Sequence, residues 1–105
     1  MSSLTEYSIY ELFDGSNIPI FYGSAERGTQ FPYLVYIENG MYTLKADNTL
    51  YWRQESVRLE YYFRTKEKRM EADIEAILLN NGYVFEKSED VYIEDEHVFV
   101  IYYYV

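Results

Sequence analysis

No cysteine occurs in this chain, which excludes a disulfide framework, a thiolate nucleophile and a cysteine-bound zinc, and fits a reducing compartment. The lone histidine, His97, stands beside an acidic cluster with no nucleophile or second base of special character around it, and reads as a turn or strand-edge residue. Gly23, Gly28, Gly40 and Gly82 match neither the dinucleotide nor the phosphate-loop fingerprint. Basic residues are scarce, nine against 18 acidic, giving a net charge of -9. That balance disfavours binding to phosphate backbones or anionic lipid. No apolar run approaches bilayer-spanning length, and the first six residues lack a basic, apolar leader; the expectation is a soluble, unsecreted domain.

Carboxylates are plentiful but carry no chemical signature. Glu89, Asp90, Glu94, Asp95 and Glu96 lack calcium-loop spacing and read as a solvated charged hairpin. No two of the 18 acids are marked as a hydrolytic pair. Arg53, Arg58 and Arg64 share one extended run with Trp52 and Tyr62, but Glu55 and Glu60 interleave with them, which favours cross-strand ion pairing over a nucleic-acid platform. No catalytic residue, metal ligand or cofactor site is assigned, and the chain is expected not to be an enzyme.

What the chain has in surplus is aromatic side chains, 20% of residues, with 14 tyrosines, six phenylalanines and one tryptophan. Tyrosine suits half-buried sheet faces and protein interfaces alike, and fourteen exceed what one small core needs. A chain of 105 residues supports one domain, residues 1–105, that buries roughly two-thirds of its extended surface.

Along the chain, Ser3 and Glu6 form a capping-box pattern, which predicts a helix from near Leu4 with Leu4, Ile9, Leu12 and Phe13 on one face. Residues 18–22, interrupted by Pro19, suit an edge strand, and residues 23–30 form a polar, mobile loop. A strand over 32–38 ends at Asn39-Gly40, a hairpin-turn dipeptide, so 41–44 is expected to return antiparallel; Ala46-Asp47-Asn48 is a second turn signal. From Leu50 the chain runs extended, with Val57, Leu59, Tyr61 and Phe63 on one face and Arg58, Glu60, Tyr62 and Arg64 on the other. Thr65 is a candidate N-cap for a helix whose stripe is Met70, Ile74, Ile77 and Leu78 and whose stop is Gly82. Glu71 and Glu75 are expected to pair with the bases near its start. Strands follow over 83–87 and 98–105.

The order αββββαββ predicts an α+β fold: one small domain with a mainly antiparallel, tyrosine-rich sheet, and one main amphipathic helix and a short N-terminal helix on one face. Residues 98–105 are apolar on both faces, so this strand is central or covered by a partner. Two helices cover about one face. The other face, with Tyr62, Tyr102 and Tyr104, is then available for subunit packing.

Several stretches together carry a resemblance. Lys45-Ala-Asp-Asn-x-x-Tyr51, Val57-Arg-Leu-Glu-Tyr-Tyr62, Glu71-x-x-Ile-Glu75 with Leu78, Tyr92-Ile-x-x-Glu96 and the terminal Val-x-Val-Ile-Tyr strand follow one pattern. Residues 18–22 and 32–36 fit it too. The pattern is similar to the small tail-completion proteins of long-tailed bacteriophages and prophages of Gram-positive bacteria: tail terminator, head–tail joining or minor capsid proteins. The resemblance implies a ring, commonly a hexamer, that caps the tail tube, stops its growth and offers a surface to the head-completion or connector protein. Its implied location is the virion neck, with assembly in the host cytoplasm; DNA passes through without being bound, and no membrane or cofactor is involved. Candidate subunit contacts are Arg27 in the mobile loop, with Tyr62, Arg64, Tyr102 and Tyr104. The alternatives are another neck component (stopper or adaptor) and a small acidic DNA-mimic inhibitor of a host enzyme.

Overall fold

The computed structural model describes residues 9–46 and 49–105, and over 39–56 the backbone alone. The elements are α1 (Ile9–Phe13), β1 (Ile20–Tyr22), β2 (Tyr33–Ala46), β3 (Thr49–Phe63), α2 (Lys68–Asn80), β4 (Glu86–Lys87), β5 (Val91–Ile93) and β6 (Val98–Tyr104). Six strands form one sheet ordered β1-β2-β3-β6-β4, with β5 also on β6. Only β1 on β2 is parallel; the other pairings are antiparallel. The fold is α+β, as the pattern of periodicities predicts.

Register decides the faces. Leu59 pairs with Tyr36 and Tyr103, and Tyr61 with Leu34 and Ile101, so these residues share one side of the sheet. There they meet Ile9 and Phe13 of α1 and Ile74 and Leu78 of α2 in a single buried cluster. Met70, Ile77 and Leu12 complete it as half-buried members. Fully burying an aliphatic side chain stabilises by about 1.5–3 kcal/mol, so this layer is what holds both helices down.

A polar cluster fastens α2 to the sheet edge. The Glu71 carboxylate, nearly buried, lies 2.7 Å from Lys66 Nζ and 3.0 Å from Lys87 Nζ. Lys87 also reaches Glu75 at 2.7 Å, Glu75 accepts from the Tyr103 hydroxyl at 2.8 Å, and Lys66 extends to Asp90 at 3.0 Å. Burial alone would raise the Glu71 carboxyl, but the two ammonium groups outweigh it and hold the group below its usual range. Glu71 thus pairs with Lys66 near the helix start, as expected, whereas the base that Glu75 takes is Lys87 of β4.

Two expectations are corrected. The chain does not turn at Asn39-Gly40: β2 runs on to Ala46, and the register slips between Glu38 and Gly40, which makes Asn39 the extra residue of a bulge. A turn there would have left 49–56 of β3 without a strand partner, so ladder pairing overrides the local turn preference. The order is therefore αβββαβββ; residues 47 and 48 of the second turn signal, like the predicted cap at Ser3, lie outside the described residues. Nor does Thr65 cap α2. Glu67 is the N-cap residue, without a side-chain cap bond, while Lys66 is drawn across to Glu71 and Asp90. At the other end Gly82 takes φ 86°, a left-handed conformation that glycine adopts without steric cost, and the Tyr83 N–H closes on the Leu78 carbonyl at 3.0 Å.

Candidate subunit interface

Among the described residues no helix covers the second face of the sheet. Here the alternate residues of β3 (Arg58, Glu60, Tyr62) stand beside Tyr33 and Val35 of β2 and Val100, Tyr102 and Tyr104 of β6. Val35 and Val100 are nonetheless buried on this face, beside their register partners Glu60 and Tyr62.

The polar and aromatic groups on this face form one continuous ladder. The Arg64 guanidinium lies 4.5 Å above the Phe31 ring centre. Phe31 stacks on Tyr33 at 5.0 Å, and Tyr33 on Tyr62 at 5.2 Å. The Tyr62 hydroxyl donates to Glu60 Oε1 at 2.7 Å, and Arg58 Nε donates to Glu60 Oε2 at 2.8 Å. Arg58 in turn lies 5.5 Å over the Tyr102 ring, and Tyr102 stacks against Tyr104 at 6.3 Å. Glu60 is only 4% exposed, so an unpaired carboxylate there would be costly; two charge-assisted or phenolic donors hold it in place. Burial first, then the bond to Glu60 and its negative charge, raise the Tyr62 phenol above its ordinary value. The arrangement holds no nucleophile–base pair; it is a rigid, amphipathic surface of the kind that packs against protein.

Four of the five candidate contacts, Tyr62, Arg64, Tyr102 and Tyr104, fall on this ladder. The fifth, Arg27, lies apart from it in the 23–30 loop and joins Arg64 along a cleft of about 1050 Å³ that also includes Phe31, Tyr33, Glu67 and Glu96. Arg27, Lys68 and Arg69 make no ion pair among the described residues. Arg58 and Glu60 pair along one strand, two residues apart, and not across strands as the sequence suggested. Sequence reasoning missed Phe31 and Tyr33 as members of the surface; it placed Glu60 on this face of β3 but did not count it among the contacts. The alternation of 33, 35 and 37 would have placed Tyr33 there, but nothing local marks Phe31, which precedes the strand.

His97 occupies the turn between β5 and β6 with φ 56°, its Nδ1 3.0 Å from the Tyr92 hydroxyl. Asp90 of the acidic segment is engaged by Lys66, and Glu96 borders the cleft. No model of a known protein family, no curated protein and no solved structure matches this chain.

Proposed function

We propose that this protein is a structural component of a phage or prophage virion, one whose copies close into a ring that caps the tail tube, stops its growth and presents a surface to the head connector. Six copies is the number the resemblance implies. The role is geometric, with no bond made or broken. The observation that carries the reading is the helix-free aromatic face. Among the described residues all the helix packing lies on one side of the sheet, and the other side holds an ordered ladder from Arg64 to Tyr104 that one copy leaves half-exposed. A ring subunit needs such a broad lateral surface in addition to its core.

Charge supports the same reading. A ring threaded by DNA needs walls that do not hold phosphate, and a chain of net charge -9 supplies them. A DNA mimic would need carboxylates uninterrupted along one face, whereas Arg58 pairs with Glu60 on the ladder and Arg27 and Arg64 line one cleft. The test is a stop codon placed early in the gene within its phage or prophage, with the induced lysate viewed by negative-stain electron microscopy. Filled heads beside unattached or overlong tails are expected. Normal, infectious virions would overturn the reading.

A further inference from the structure

The outer half of the β2–β3 hairpin is a two-stranded arm. β1 pairs only with 34–36 of β2, and β6 reaches β3 only at 58–63, with Val57 bonded to Val105 beyond that ladder. Residues 40–46 and 49–56 therefore have each other as their only strand partners among the described residues. A two-stranded ribbon is marginal in water by itself, and both edges of this one are open.

The alternation of the backbone shows which groups those edges present. The Val57 N–H and C=O both face β6, bonding Val105 at 3.2 and 3.0 Å. Period two then turns the N–H and C=O of Glu55 and Arg53 to the same side, away from β2. Ser56 faces β2, its partner Gly40 faces β3, and so Met41 and Thr43 point outward on the opposite edge. The edges of the body are protected in comparison. β1 is three residues long and follows Pro19, and β4 carries Glu86 and Lys87, with Glu89 and Asp90 beyond. The arm has no proline. Its two bases, Lys45 and Arg53, balance its two acids, Asp47 and Glu55, so the whole net charge of -9 resides on the rest of the chain. Bodies repel one another; arms do not.

We infer that the arms join copies of this chain edge to edge, the 51–55 edge of one copy adding to the 40–44 edge of the next. The inference deepens the ring reading and rests on it. The two edges of an arm differ, so the joint is head-to-tail and each copy uses both edges, which gives a ring where the rotation between copies closes, and not a two-fold dimer. β2 and β3 run oppositely, so arms pointing the same way around a rotation axis meet in an antiparallel ladder. β6 already fills the 58–63 edge of β3, so the incoming strand adds to the arm alone and leaves the body of its neighbour at the Asn39 bulge.

The test uses proline, which removes one outward N–H without touching the hairpin's own ladder. Wild type, Thr43→Pro and Arg53→Pro are compared by size-exclusion chromatography with light scattering, with circular dichroism verifying that all three are folded. Wild type is expected to form a closed assembly of more than two copies. Each variant, left with one working edge, is expected to weaken assembly by about tenfold or more. An equal mixture of the two variants joins intact edge to intact edge and stops at a one-to-one dimer. Wild type that stays monomeric at about 0.1 mM, variants that assemble like wild type, or a mixture no larger than its parts would each overturn the inference. The stop-codon experiment decides the virion reading separately.

Discussion

Raising the pH should destabilise this protein steeply from pH 10 upward, and tyrosine is the reason. Tyr61 and Tyr103 are buried and Tyr62 is half-buried, and burial is the first cause of the rise in each phenol; Tyr61 is pushed up to about 12. For Tyr62 and Tyr103 the bonds to Glu60 and Glu75 add to it. The folded state therefore keeps protons that the unfolded chain releases at about 10, so stability is intact below pH 10 and falls as pH rises toward the folded values. Each phenol contributes about 1.4 kcal/mol per pH unit in that window. The three together remove about 4 kcal/mol by pH 11, against a typical total of 5–15 kcal/mol. Lys66, raised chiefly by its bond to Glu71, and Lys87, raised by Glu75 and Glu71 against the cost of burial, act in the same direction at slightly higher pH. Urea melts at half-unit steps from pH 8 to pH 11 (~0.5 unit spacing) measure the slope, and tyrosinate absorbance separates exposed rings, which titrate first, from buried ones, which ionise only on unfolding. Tyr61→Phe should lower the slope by about a third. A urea midpoint unchanged between pH 9 and pH 11, with all fourteen tyrosines ionising together near 10, would refute the reasoning.

Tyr61→Phe should also raise stability at neutral pH by about 1 kcal/mol, because its buried hydroxyl has no partner among the described residues; a destabilised variant in chemical denaturation would count against this. Glu60→Gln and Tyr62→Phe should each cost about 1–2 kcal/mol, with the double mutant costing well short of the sum; additive losses would show that the two groups are not coupled. Glu71→Ala should cost about 2 kcal/mol at pH 7, since Lys66 and Lys87 keep Asp90 and Glu75 as partners. The Glu71 carboxyl is held low in the folded state, so its contribution is present above the ordinary carboxylate value of 4.5 and lost as pH falls below it, and the difference between wild type and Glu71→Ala should close there in acid denaturation. His97→Gly should gain about 0.5 kcal/mol in thermal melts by relieving the positive φ, less what the exposed bond to Tyr92 contributes; a loss would show that bond to be the larger effect.

Much of this architecture was legible before any coordinates. Period two over 57–64 separated the two faces of β3 correctly, because both the buried and the half-exposed sets are long enough to be unambiguous. Two apolar faces on 98–105 placed β6 in the interior of the sheet for the same reason. The Met70–Leu78 stripe and the Gly82 stop gave α2 to within a few residues. Asn39-Gly40 misled, because turn propensity is a local preference worth little against a ladder that pairs residue after residue of β3. The surface was legible in part. Tyr62, Tyr102 and Tyr104 follow from alternation alone, as does the side of β3 that Glu60 takes, whereas the step from Tyr33 to Tyr62 depends on register between strands far apart in sequence, which no single stretch contains.

The position of β6 also orders events during synthesis. β2 and β3 are neighbours in the chain, and their ladder can close as soon as Phe63 has been made. The strand that belongs on the other side of β3 lies far downstream, beyond α2, so β3 must wait while the intervening chain is translated. During that interval Leu59 and Tyr61 lack their neighbours Tyr103 and Ile101, and α2, already competent to form, has only part of its landing site. A nascent chain of this kind exposes along 57–63 the same open backbone that the arm of a single finished copy exposes. On a polysome, where many such chains emerge side by side, crowding of unfinished hairpins is the hazard, and slowing elongation ahead of residue 98 would prolong it.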